Sequence, residues 1–290
     1  AGWKATNEPR RRLKQVPLNL PKAIGTCTSL QMAGTPDGRL VVKTRTEAHI
    51  LDSSMSVLQT LATDYNRFGM LAANDDSLFE CTHAELRRSS HDGTVHAEYE
   101  LEGYDVAYPV LAPGGLVFCV IYDNDGESKL DEIIALDAQT LQPRHRFGLG
   151  LLNDAQQLAV VGDELYVCET GNHCLQVFSL TGEHRRSVVG EWREPESLCC
   201  VKDRLYLVER DPSEDAEVDE DTADGTEDPM QGRRILVLSF QGDILQVITH
   251  PTEPTAIFTA ICCSDHKLLA SYNYTKSAAT RSWIIALQGL

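Results

Sequence analysis

The chain has 290 residues, 42% hydrophobic and 24% charged, enough to bury one large core and leaving no room for a second domain. Its 43 acidic against 26 basic residues give a formal charge of −17, which argues against the basic face that nucleic-acid binders present, so no nucleic-acid partner is expected. No apolar run approaches the roughly 18 residues of a membrane helix, and the N-terminal segment lacks the apolar centre of a signal peptide, so no membrane insertion is expected.

In chain order, residues 1–11 are basic and read as a flexible arm or the tail of a linker, and the opening Ala suggests a processed form or part of a larger chain or complex. From Leu40 onward one pattern recurs. An apolar run, a tight turn, a second apolar run, a polar loop and a third run are followed by a polar, β-tolerant segment, the reading of a four-stranded antiparallel sheet. The first apolar residue of the second run falls at Leu40, Leu78, Leu116, Leu165, Leu205 and Leu268, giving spacings of 38, 38, 49, 40 and 63. The two long spacings are the same repeat with loops inserted. Third strands follow at 48–52, 132–137, 175–180, 234–240 and 282–287; only 85–90 (ELRRSS) is a poor strand there.

A four-stranded unit of about 40 residues has two apolar faces to cover, and copies stacked in a ring cover both. The chain is therefore read as an all-β, six-bladed β-propeller. Its blades fall at about 29–66, 67–108, 109–153, 154–194, 195–254 and 255–290, within a single domain over 12–290. The last blade runs out one strand short. The segment at about 12–20 (RLKQVPLNL) is expected to complete it and close the ring, with Pro17 and Pro21 tolerated at an outer edge.

The most regular unit, 158–195, carries a further signal. LYVCETGNHCLQVFSLTGE resembles an NHL repeat: a strand, an acidic residue, a Gly-Asn loop, then Gln176, Val177 and Phe178 in the most characteristic part. The fifth repeat matches in LYLVE and RRILVLSFQGD, the others in outline. There is no Trp-Asp dipeptide and no recurring Gly-Gly doublet, so rival propeller families fit worse. The resemblance implies the fold and leaves activity open, since some NHL-like propellers are metal-dependent lyases, some bind RNA, and related six-bladed propellers hydrolyse lactones or esters.

Nine cysteines cannot all pair within one chain. Cys81, Cys119 and Cys168 share one column, and Cys199-Cys200 and Cys262-Cys263 share another with Ala159-Val160, the behaviour of small buried hydrophobes. Neighbours on a strand point to opposite faces, so neither vicinal pair chelates one metal readily. A reducing, intracellular and cytoplasmic location is the corresponding expectation.

Function on this scaffold belongs to the loops of one face. Tyr104, Tyr108, Tyr122, Trp192, Tyr272 and Tyr274 read either as interface anchors or as packing under loops, and Glu169, His173 and Glu209 accompany them. Glu169 and Glu209 hold matching positions in neighbouring blades, as a carboxylate pair or as a motif residue. The insertion at 211–228 carries ten acids and almost no bulky apolar residue, which favours mobility or capture of a basic partner. Neither it nor 123–126 has the spacing of an ordered calcium loop. No His falls in an inner strand and no nucleophile motif is present, so no catalytic residue, metal site or cofactor is expected. The preferred expectation is a non-catalytic protein–protein interaction or scaffold propeller, binding a protein or peptide through its top-face loops. The alternative is a metal-assisted hydrolase or lyase in the central channel.

Overall fold

The computed structural model describes residues 14–16, 30–44, 47–62, 70–82, 84–123, 131–211, 228–250, 254–264, 267–274 and 281–288. Their strands form four-stranded antiparallel sheets, six in all. Five are self-contained blades, each made of four consecutive strands. The sixth is composite: Ile257–Ser264, Lys267–Tyr274 and Arg281–Gln288 are completed by Lys14–Val16 from the other end of the chain.

This corrects the expectation of six alike blades: five are continuous, and the N-terminal strand that completes the sixth sheet falls within the expected 12–20. Among the described residues the closing ladder sets Lys14 opposite Gln288, Gln15 opposite Leu287 and Val16 opposite Ala286. The physical reason is that the last sheet has three strands of its own and takes its fourth from the other end of the chain, which covers an edge that would otherwise stand open. The arm at 1–11, the remainder of 12–20 and the acidic segment at 212–227 lie outside the described residues.

The first strands of the sheets, Gln31–Gly34, Met70–Ala73, Tyr104–Ala112, Ala155–Val161, Pro195–Val201 and Ile257–Ser264, touch one another in cyclic order and surround a central channel. Neighbouring sheets bury their faces against each other. Phe118, Tyr166, Phe178 and Phe258 are fully buried in these seams, each contributing about 1.5–3 kcal/mol by removal from water. Outer strands alternate instead, as in Val95–Glu100, with one side in solvent.

The unpromising ELRRSS segment is a full strand, Glu85–Ser90. Leu86 enters the core, while Arg87 pairs with Glu85 and Glu98 and Arg88 reaches the Ser77 hydroxyl and the Gln139 carbonyl. Charges that look hostile to a strand find partners across it. No helix of the described residues is long and apolar enough to cross a membrane.

Candidate functional site at the channel mouth

Four of the innermost strands share one irregularity. The pairing register shifts between Ala107 and Val110, Ala155 and Leu158, Pro195 and Ser197, and Phe258 and Ala260. Each is a β-bulge that leaves its extra residues out of the ladder and re-aims their side chains. The residues so released include Tyr108, Gln156, Glu196 and Thr259, which form one column around the ring just ahead of the channel-lining stretch. Tyr108, at the bulge within its strand, and Asp154, just ahead of Ala155–Val161, hold positive φ angles of 50° and 55°, so the backbone is constrained at both.

Three blades converge here. The Tyr108 hydroxyl donates to Gln156 Oε1, and Gln156 Nε2 donates to Asp154 Oδ1 at 2.5 Å. Asp154 Oδ2 in turn accepts from Arg210 Nη1 at 2.9 Å. Arg210 stands one residue past its strand Arg204–Glu209, and its N–H is tied to the Glu194 carbonyl at 2.8 Å, which fixes the base of the side chain. Behind this row, the Tyr122 hydroxyl donates to the Ala155 carbonyl and Asp131 Oδ2 accepts from the Ala155 N–H at 2.6 Å.

The electrostatics follow from crowding acids around one guanidinium. Burial, then the charge of Glu196, pushes the Tyr108 hydroxyl well above an ordinary tyrosine, with Arg210 opposing. Tyr122 is pushed up by burial and then by Tyr108, Asp131 and Asp154. Burial also raises Asp131, against the lowering effect of its Ala155 hydrogen bond. At neutral pH both phenols are protonated donors.

Below the mouth the channel turns apolar. It encloses about 740 Å³ and is walled by Met32, Leu71, Leu158, Leu198 and Ile261. Gln157 spans the inner strands, accepting from Ser197 Oγ at 2.5 Å, and Ser197 Oγ accepts from the Ile261 N–H at 3.0 Å.

Of the top-face residues singled out in the sequence, Tyr108 and Tyr122 enter this cluster. Glu169 and Glu209 are both fully buried and held by their own blades: Glu169 accepts from Asn172, Cys174 and Gln176, Glu209 from Arg234 and the Arg193 N–H. Each carboxylate is thus taken up by donors of its own surroundings. His173 Nδ1 accepts from the Glu194 N–H at 3.1 Å. Trp192 is 4% exposed and Tyr272 is 7% exposed. A Cβ on Gly190 would lie 1.9 Å from the Trp192 ring, so the indole is folded down onto its own loop. Tyr272 packs on His250 and Phe258, and Tyr104 is half-buried under Arg146. Tyr274 ends the strand Lys267–Tyr274.

Asp154, Gln156, Glu196 and Arg210 were missed. For Gln156 and Glu196 the signal was a polar residue two places ahead of an apolar channel-lining run, as in Gln156-Gln157-Leu158 and Glu196-Ser197-Leu198, which Tyr108-Pro109-Val110 shares; Asp154 and Arg210 had none.

Residues 152–178, the heart of the fourth blade, match the family model described as NHL repeat. The fourth blade is an NHL repeat. No curated protein sequence matches the chain. Among solved structures, a gluconolactonase from Xanthomonas campestris superposes with a TM-score of 0.63 at 15% identity, covering 91% of this chain and 88% of that one. Regucalcin from Agrobacterium tumefaciens, titled a calcium-binding protein, gives 0.61 at 14% identity over 91% and 92%. The WD40 propeller domain of Doa1 gives 0.58 at 14% over 90% and 79%. At these identities the likeness establishes the propeller fold.

The expectation of a non-catalytic interaction propeller is corrected at this point. Two of its aromatic anchors, Trp192 and Tyr272, are buried packing, and the NHL-bearing chain superposes on propellers titled as a gluconolactonase and a calcium-binding protein. The metal that accompanied the alternative reading does not fit the mouth. Among the described residues no three His, Cys, Asp or Glu side chains converge on one point, and the carboxylate of Asp154 is engaged by the guanidinium of Arg210, whose charge repels a cation.

Proposed function

We propose that the chain is a hydrolase that acts on a small carbonyl compound, of the lactone or cyclic-ester class, at the polar mouth of its channel. The observation that carries this reading is the bulge column, which gathers Tyr108, Gln156 and Glu196 from three blades beside Asp154 and Arg210. The guanidinium of Arg210, with five N–H groups, is a donor for a carbonyl oxygen on which negative charge develops, while the Tyr108 proton, given to Gln156, holds the row in register. The Glu196 carboxylate, whose charge acts on Tyr108, is the base for the attacking water. Asp154 and the Glu194 carbonyl hold Arg210 in place, so this donor is preorganised before substrate arrives. The apolar wall beneath gives the ring carbons of a substrate a dry surface. The likeness to a gluconolactonase supports the substrate class.

The test is hydrolysis of a panel of aldonolactones, aliphatic lactones and aryl esters by the purified chain, followed by pH-indicator absorbance. Turnover is expected for at least one lactone, with kcat/KM falling about 10²–10³-fold in Arg210→Leu and about 10²–10⁴-fold in Glu196→Gln. No turnover over buffer across the panel, or turnover indifferent to both substitutions in folded protein, overturns the proposal.

A further inference from the structure

Four cysteines line the lower channel, Cys199 and Cys200 on the strand Pro195–Val201 and Cys262 and Cys263 on its neighbour Ile257–Ser264. Adjacent strand residues face opposite sides, so each vicinal pair divides between two seams. Cys200 packs with the core shared by blades four and five, and Cys262 with the core shared by the sixth sheet and blade one. Cys199 and Cys263 instead pack on the same cluster, which includes Tyr206, Val208, Phe258 and Ile261. The two strands that carry them touch. Both residues are half-buried and line the channel with their thiols in the seam beside it, whereas Cys81 and Cys119, with sulfurs 4.0 Å apart, are sealed inside another seam. From the far side the first blade holds Cys263 in place: a Cβ on Gly34 would lie 1.7 Å from the Cys263 carbonyl oxygen, so the backbones are in direct contact.

We propose that Cys199 and Cys263 are a modification site, a thiol pair that a small hydroperoxide entering the channel oxidises to a disulfide across the seam between the fifth blade and the composite sixth sheet. One thiolate attacks the peroxide, taking an oxygen as sulfenic acid and releasing an alcohol, or water when the oxidant is hydrogen peroxide. The second thiol then attacks that sulfur and expels water. Two thiols lose two electrons and two protons in all, and the O–O bond is the acceptor. Burial, and then the neighbouring thiol of Cys263, pushes Cys199 well above an ordinary cysteine, so thiolate is scarce and the oxidation is slow. The product staples the sheet that is assembled from both ends of the chain.

The experiment exposes the folded protein to hydrogen peroxide, blocks remaining thiols by alkylation and maps the digest by mass spectrometry. It is run on the wild-type chain and on the Cys200→Ser, Cys262→Ser double variant, in which the assignment is unambiguous. The expected result is a Cys199–Cys263 crosslinked peptide two hydrogens lighter than its parts, reversed by dithiothreitol and absent in Cys199→Ser. A rise in the thermal midpoint of about 5 °C should accompany it. Recovery of both residues as alkylated thiols, Cys199 as an unbridged sulfinate, or either one joined to a different cysteine overturns the proposal.

Discussion

Glu169 and Glu209 end the second strands of adjacent blades at the same place in the repeat, and both are wholly buried, yet the two blades satisfy them by different chemistry. In blade four the donors are neutral and local: Asn172 Nδ2 at 2.6 Å, Cys174 Sγ at 2.9 Å and Gln176 Nε2 at 2.6 Å. In blade five the Gly-Asn loop is gone, and Arg234 grips Glu209 with Nε at 2.7 Å and Nη2 at 2.9 Å. A buried acid is thus a property of the scaffold, and the loop that follows decides whether it is quenched by dipoles or by a charge. Where a charge is used, the blade tolerates a long insertion, because Arg234 lies beyond it and the contact no longer depends on loop length.

That contrast can be broken most severely at Glu209. Glu209→Ala leaves Arg234, 13% exposed, with the half-exposed Asp228 as its remaining carboxylate partner. The expected loss is about 3–5 kcal/mol, read from the urea midpoint. A loss no larger than that of a surface substitution would mean that the pair is not buried as described. Glu169→Gln should cost less, about 1–3 kcal/mol, since it turns one acceptor into a donor facing other donors without stranding a charge. Equal losses at the two sites would erase the distinction.

The smallest effect, with the opposite sign, is expected at Asp131, a third buried acid, which accepts from the Ala155 N–H at 2.6 Å. Its folded pKa is raised by burial above the unfolded value, so ionisation works against the fold. The cost is absent below the unfolded pKa of about 4, grows as pH rises through the folded value and is complete above it. Asp131→Asn keeps the acceptor for Ala155 and should raise the thermal midpoint at pH 7 while leaving it unchanged below about pH 4. A drop at neutral pH would show that the charge is wanted there.

The architecture was largely legible because stacked sheets impose a period, and Leu40, Leu78, Leu116, Leu165, Leu205 and Leu268 mark it through two insertions. Glu169 and Glu209 could be placed in register for the same reason. The mouth was not legible. A bulge breaks the two-residue alternation on which strand reading depends, so nothing in the alternation marks Gln156 and Glu196 as side chains re-aimed toward one mouth. Arg210 sits where the sequence turns into the acidic insertion, and its partner Asp154 belongs to another blade; nothing local links them. Trp192 could be read as an anchor or as packing under a loop, and the structure decides for packing: Gly190 and Gly242 leave a slot into which the ring folds.

The ladder between Lys14–Val16 and Arg281–Gln288 also sets an order of events. During synthesis the first of these strands emerges long before the second, while each of the five self-contained sheets can pair as soon as its own four strands are out. Closure joins the most distant partners in the chain and must come last, which makes it the slow, non-local step of folding. Until then the sixth sheet has an unpaired edge at Arg281–Gln288, open to the same segment of another copy as readily as to its own. At high concentration the clasp is therefore the point at which rings would exchange strands with one another.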